Sequence, residues 1–436
     1  MAHNVRSHGR LIMLMLLGLF ACGERAPAEA TDVDDTSDTI PDEPSLTFYA
    51  DIKPIMAAHC TRCHNPNGIG IGDFTDPELV QTFAPAIAAA IEDGRMPPPA
   101  SDPGCQDYNG SDLLTLSDDE KSDVLSWIEL GSPLGDPEDE PEIPVVSHDL
   151  IDPDLTLMMS APYTPVYADT NNPANEYRCF LLEKPEGQES FYITSLAPVI
   201  DQTAIVHHSV LFTSSTAEIQ PFLEDFNDGD GIDCINNLNS ASGMLAAWAP
   251  GMMPIEFPEG MGLRVQEDDQ IILQVHYYYS GPETENLADN SGYAFKTAET
   301  VEREVLMAPL GSFNFQIPAN DDDYTHTDTF NNAYIDLEVF GMFPHMHILG
   351  QRYDARIKHE DGSETCLVKG DYDFDNQMTY QFTDPVTFAS GDTIEFSCNW
   401  NNSTSNPELS TEPKETTYGE RTDEEMCYFF SFVALK

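Results

Sequence analysis

The sequence predicts a mainly β fold: two tandem β-sandwich (jelly-roll-like) domains preceded by a small all-α domain. Three observations predict it. From about residue 150 onward, short runs rich in Val, Ile, Thr, Tyr and Phe are separated by Gly, Pro, Asn and Asp. Helical periodicity is weak there, which is the pattern of β-sandwiches. Before that point, residues 48–136 carry apolar residues at helical spacing around one Cys-x-x-Cys-His run. With 41% apolar residues the chain can bury real cores. Its 76 acidic residues against 19 basic ones give a net charge of −57, which excludes nucleic-acid binding, since that needs basic patches.

Residues 1–22 read as a bacterial lipoprotein signal. Arg6 and Arg10 precede an apolar run over 11–21 that is too short to span a bilayer, and Cys22 follows as the residue to be lipidated. Phe20 departs from the usual small residue, and an ordinary secretory signal is the alternative. Either places the mature chain in the cell envelope, lipid-anchored, or outside the cell, where disulfides and haem attachment can form. Residues 23–47 are rich in Asp, Glu, Pro, Thr and Ala and hold too little apolar surface to collapse, so they read as a disordered acidic tether.

Cys60-Thr61-Arg62-Cys63-His64 is a C-x-x-C-H run, the c-type haem attachment signature. Cys60 and Cys63 would form thioethers to the porphyrin, with His64 as the proximal iron ligand. A redox dithiol does not need the histidine, and a zinc site needs a second pair that is not nearby. A predicted helix over 52–59 leads into the motif. A second, over 77–93, puts Phe83, Ile87 and Ile91 on one face. A third, over 117–130, opens with a Ser-Asp-Asp-Glu capping box and buries Val124 and Trp127. Met96 sits on a proline-stiffened loop as the candidate second axial ligand, a packed loop methionine being the alternative. The whole of 48–136 resembles a small class I-type cytochrome c domain. His59 reads as a surface residue. Residues 137–150, acidic and proline-bearing, read as a linker with a solvated His148.

In the first sandwich, 151–298, the run 203–212 reads as a buried strand carrying His207 and His208. Neighbours on a strand point to opposite faces, so the two meet at one metal only if the strand twists or bulges, or if different ring nitrogens are used. His276 lies in a second buried-strand pattern, 270–279, among aromatic residues. Taken singly, these histidines read as satisfied core residues. In the second sandwich, 299–436, His345 and His347 are two apart and share one face of a strand, a two-point metal grip. Met426 opens an apolar strand. A thioether is soft and favours Cu(I), while imidazole suits both copper oxidation states, so the set points to copper over zinc. No cysteine in either set looks like a blue-copper thiolate.

Residues 155–436 resemble the copper type II, ascorbate-dependent monooxygenases. The resemblance rests on ordered motifs: His207-His208 in its apolar strand, Ala247-Trp248-Ala249-Pro250, the segment 257–262, Leu273-Gln274-Val275-His276-Tyr277, Pro344-His345-Met346-His347, and Asp423-Glu424-Glu425-Met426-Cys427. It implies two copper ions. His207, His208 and His276 would hold the electron-transfer copper; His345, His347 and Met426 would hold the copper that activates dioxygen and oxidises a C–H bond. The resemblance also implies an open, solvated cleft between them and ascorbate or another one-electron donor. Gln274 is similar to a glutamine of the family, with an ordinary strand polar residue as the equal alternative.

Two departures stand out. Members that amidate peptides hold the substrate carboxylate with an arginine, a tyrosine and an asparagine, and the matching places here are Phe343, Phe430 and Tyr428. The expected substrate is therefore an apolar or aromatic small molecule. The other departure is the fused haem unit, which suggests a haem, or a redox partner protein, as electron donor.

Of nine cysteines, Cys22 is assigned to lipid and Cys60 and Cys63 to haem. The resemblance implies a Cys398–Cys427 disulfide, worth roughly 3–4 kcal/mol in the chain-entropy model. Cys179 is similar to a family cysteine whose usual partner position is Asn290 here, which leaves Cys234 as its alternative partner. Cys105 and Cys366 are unassigned. The acidic run 227–233 lacks the distal Glu and the helices of a calcium loop, and His326 and His359 read as surface residues. A copper monooxygenase leads; a non-enzymatic copper-binding or electron-transfer lipoprotein is the rival, and a haem carrier whose sandwiches only bind a partner is a third, weaker reading.

Overall fold

The computed structural model describes residues 46–436 apart from 67, 69, 145–146, 168–174, 186, 188, 228, 234–242, 280, 283, 333, 375, 410 and 420–422. The signal, Cys22, Cys234 and nearly all of the tether lie outside the described residues.

The first elements are helical. A π-helical turn at Phe48–Ile52 runs into α1 (Lys53–His59), followed by α2 (Pro77–Glu92), α3 (Ser111–Leu114) and α4 (Asp118–Glu129). Local chemistry sets their starts. The Asp76 side chain accepts from the Glu78 N–H ahead of α2, and Ser117 and Glu120 form the predicted capping box at α4. Phe48, Ile52, Met56, Val80, Val124 and Trp127 are buried together. His59 is a correction: it is 4% exposed, held between the Leu113 carbonyl at 3.2 Å and Glu120 at 3.1 Å. The sequence of a seven-residue helix does not reveal which of its faces a later helix will cover. His148 is half-buried, its Nδ1 3.2 Å from the Met252 carbonyl.

The rest is mainly β. In chain order the strands are β1 (Leu155–Met158), β2 (Asn175–Leu182), β3 (Phe191–Val199), β4 (Val206–Ser215), β5 (Met244–Trp248), β6 (Ile255–Glu256), β7 (Met261–Val265), β8 (Asp269–Tyr278), β9 (Gly292–Ala298) and β10 (Arg303–Gly311). There follow β11 (Gln316–Ile317), β12 (Asp321–Asn331), β13 (Leu337–His345), β14 (Gly350–Lys358), β15 (Glu364–Asp371), β16 (Tyr380–Phe388), β17 (Thr393–Asn402), β18 (Thr416–Thr417) and β19 (Tyr428–Leu435).

Two four-stranded sheets, β2-β8-β4-β5 and β12-β17-β14-β15, face one long sheet ordered β1-β9-β3-β7-β10-β19-β13-β16, with β6 on β3. Each four-stranded sheet covers its own half, around Leu182, Leu211, Ile271 and Phe295 in one and Met342, Ala355, Val368 and Phe429 in the other. The expectation of two sandwiches in tandem is corrected in one respect: they share the long sheet. Parallel pairing of β7 with β10, Met261 opposite Arg303 and Leu263 opposite Val305, joins the halves. Alternation along a strand shows which face is buried, not which edge pairs with which.

The segment between α2 and α4 is fixed to the second half of the β region. Cys105 and Cys366 form a disulfide across 261 residues. The Asp102 N–H donates to the Lys369 carbonyl at 2.7 Å and the Asn109 N–H to the Gln381 carbonyl at 2.8 Å. Tyr108 sets its ring edge-on to Tyr380, centroids 4.9 Å apart. Arg62, inside the C-x-x-C-H run, lies against Gly251, whose φ of +94° favours glycine there.

Candidate metal centres

The first centre is built where β4 and β8 pair. The register shifts between Val206 and His208, a bulge that breaks the strict alternation of the strand, and His208 stands opposite His276. Both adjacent histidines then reach the same point with the same ring atom. His208 Nδ1 is 3.2 Å from His207 Nδ1 and 3.2 Å from His276 Nδ1. His207, His208 and His276 are 6%, 8% and 1% exposed. Burial lowers all three pKa values, that of His207 to about 4, and the neighbouring histidines depress His208 and His276 further. The rings are neutral at pH 7. Between two such nitrogens only one proton fits, whereas a cation takes every lone pair. The three ligand atoms lie within 4.8 Å of one another, so this donor set fits a copper ion. Tyr177, on β2, stacks on His276 and meets His208 edge-on.

The second set lies at the end of β13. His345 is the last residue of the strand, and His347 falls in the turn that follows, which corrects the expectation of both on one strand. The cause is Glu425, whose carboxylate takes the His347 and Leu349 N–H groups that a longer ladder would have used. The two rings still approach, with centroids 5.2 Å apart. His345 donates Nδ1–H to Gln377 Oε1 at 2.6 Å, and His347 donates Nδ1–H to the Glu424 carbonyl at 3.1 Å. Each tautomer is thereby set with Nε2 carrying the lone pair. Burial lowers the His345 pKa to about 3. Met426 is partly buried beside Phe343, Tyr428 and Phe430, and Cys427 after it bonds to Cys398, the disulfide the resemblance implied.

Burial, with His207 and His345 nearby, holds the His208 pKa well below the usual imidazole value. The two halves that carry the two sets are in contact. Val210, Met244 and Ala247 from the first half pack on Phe343, Tyr428 and Phe430 from the second, and Thr379 Oγ1 donates to the Ala247 carbonyl at 3.2 Å. Phe343 and Phe430, at the carboxylate-anchor positions, stack at 5.8 Å and add apolar surface to that contact.

At the C-x-x-C-H run, neither Cys60 nor Cys63 is in a disulfide, and burial pushes the Cys60 pKa up to about 12. His64 donates Nδ1–H to the Ile71 carbonyl at 2.9 Å, which leaves Nε2 as the free ligand atom, and its ring stacks on Phe74 at 4.3 Å. Met96 is 40% exposed on its loop. Cys179 is disulfide-bonded, its partner lying outside the described residues, as does Cys234. Gln377 and Tyr177 carry no local sequence signal as site residues. Only Glu425, an acid beside Met426 ahead of an apolar strand, carries a local signal.

A neutral three-imidazole cluster on paired strands and a His-x-His pair at the end of another define a histidine-ligated metalloprotein. Residues 166–283 match the copper type II ascorbate-dependent monooxygenase N-terminal domain, and residues 306–433 the C-terminal domain of the same enzymes. Together the two matches cover more than half of the chain, which belongs to this family. It is 24% identical over 278 residues to DBH-like monooxygenase protein 2 of Mus musculus, covering 59% of this chain and 42% of that protein. It is 26% identical over 243 residues to dopamine beta-hydroxylase of Equus caballus, covering 52% and 39%. The chain thus spans about two fifths of the length of these curated relatives. A solved structure of the infectious bursal disease virus VP2 subviral particle, 13% identical over 60% of this chain and 55% of that one, has a TM-score of only 0.15 and does not bear on the fold.

Proposed function

We propose that the chain is a copper monooxygenase that uses dioxygen and a one-electron donor to hydroxylate a C–H bond of an apolar or aromatic small molecule. One observation carries this most directly: a buried three-histidine cluster in one half and a tautomer-fixed His-x-His pair in the other, on halves that pack against each other. His207, His208 and His276 would hold one copper and His345, His347 and Met426 the other. Bound copper at these centres supplies one-electron redox chemistry and dioxygen activation. The residues around it do the rest. Gln377 and Glu424 hold the Nδ1 protons of His345 and His347. Phe343, Phe430, Tyr428 and Met307 give an apolar wall beside His345 that excludes water and suits an aromatic or aliphatic substrate.

Cys60, Cys63 and His64 would attach a c-type haem, with Met96 as the second axial ligand, in a cytochrome c-like unit. The Nδ1–H bond of His64 to Ile71 suits a proximal ligand. The docked position of that unit supports electron delivery through the haem, with ascorbate or a redox partner protein upstream. The leader and Cys22 would place the protein on a bacterial envelope membrane through a lipid anchor alone.

The test is to produce the chain with haem maturation, count copper and covalent haem, and follow oxygen uptake against a panel of apolar and aromatic compounds. Two coppers with substrate-dependent uptake and a hydroxylated product support the proposal. Two coppers with no uptake under any donor would leave an electron-transfer or copper-binding lipoprotein. Absence of a haem absorption band would remove the haem alone.

A further inference from the structure

We infer that Glu425 is the positioning residue of the second centre: its carboxylate fixes where Met426 sits relative to the His-x-His pair. The inference rests on the copper assignment above. Glu425 is fully buried. Its Oε2 accepts from the N–H of His347 at 2.9 Å, the N–H of Met426 at 3.2 Å and the indole Nε1–H of Trp400 at 2.9 Å. Its Oε1 accepts from the N–H of Leu349 at 2.8 Å. Two proposed ligands, 79 positions apart in sequence numbering (426 − 347), therefore share a single oxygen atom as the partner of their backbones. Neither can drift without leaving a buried N–H or a buried carboxylate oxygen short of a partner.

The neighbouring residue acts in the same direction. The Glu424 carbonyl holds the His347 ring, so the segment 424–426 sets the backbone of one ligand, the ring of that ligand and the place of the thioether. The third ligand is fixed independently, since His345 is held by Gln377. A buried carboxylate is costly where an apolar side chain of similar volume would pack. Here the four N–H donors offset only part of that cost, since burial still raises the Glu425 pKa, and the return is geometric. A glutamine at 425 turns an –NH2 toward one group of these donors, so one of its two sets of bonds is lost. The thioether is expected to loosen while the imidazoles stay.

The experiment compares wild type, Glu425→Gln, Glu425→Asp and Trp400→Phe. The readouts are sulfur scattering at the Cu(I) X-ray absorption edge, copper per chain and Cu(I) affinity. Wild type is expected to show sulfur scattering. In E425Q that signal is expected to vanish and Cu(I) to bind the second centre about 10–100-fold more weakly. The three-histidine centre is expected to be unchanged, and E425D, which keeps both acceptor oxygens, to recover part of the sulfur signal. A folded E425Q with undiminished sulfur scattering and affinity overturns the inference. If E425Q does not fold, the other variants decide: sulfur scattering weakened in E425D but kept in W400F supports positioning, and scattering kept in both overturns it. Absence of sulfur scattering in wild type itself would remove Met426 as a ligand, and this inference with it, while leaving the three-histidine centre standing.

Discussion

Tyr177 lies flat on His276, with ring centroids 4.2 Å apart and planes 6° from parallel. The tyrosine comes from β2, next to β8 in the sheet, and is paired with His276 in register. Stacking of this kind limits how far an imidazole can rotate. Tyr177→Ala is expected to weaken copper binding at the three-histidine centre about 10-fold, as loss of an outer orienting group does at other metal sites. The Cu(II) electron paramagnetic resonance signal of that centre should broaden while the second centre keeps its copper. An unaltered signal and affinity would show that the stack is packing alone.

Gln377 holds His345 from a loop 32 residues away. Gln377→Ala removes the acceptor that sets the ring tautomer. The expected result is a loss of second-centre copper affinity of about 10–100-fold, with the melting temperature changed little. Competitive Cu(I) titration reads it, and wild-type affinity in Q377A would show that the hydrogen bond does not orient the ligand.

The histidines make the metal-free protein sensitive to acid. Folded pKa values are depressed to about 4 for His207 and about 3 for His345, against 6.5 for the free group. Below 6.5 the unfolded chain takes up protons that the folded chain refuses. The stability from keeping these rings neutral is full above pH 6.5 and falls away as pH drops from there toward 4. The melting temperature of metal-free wild type should fall over this window more steeply than that of His276→Ala. Equal slopes would exclude a depressed His276 in the folded state. Copper binding at pH 7 should release few protons, because the ligands are already neutral.

The Cys105–Cys366 bridge closes a loop of more than 260 residues, and in the chain-entropy model this restrains the unfolded chain by about 5–6 kcal/mol. It also holds the segment between α2 and α4 on β15. Replacing both cysteines by serine should lower the melting temperature and speed protease cleavage at 137–150, with copper content retained. Parallel loss of copper would show instead that the docked segment supports the metal centres.

Much of the fold was legible in local pattern. The capping box at Ser117, the apolar face of α2, the β-rich runs and the turn residues between them each act over a few residues, so the sequence alone determined a mainly β chain with helices at its start. The histidine motifs were legible too, because spacing and apolar flanks are local. The tertiary structure decided everything that needed a distant partner. It took β8 opposite β4 to bulge the chain at His207 and turn two adjacent rings to one point. Glu425 found its donors at 347, 349 and 400, Cys105 its partner at 366, and β7 paired with β10 to merge two sandwiches into one sheet. Periodicity records which face of an element is buried. It does not record which element covers that face, since many partners bury the same apolar surface equally well, and only the register and close packing of the folded chain select one.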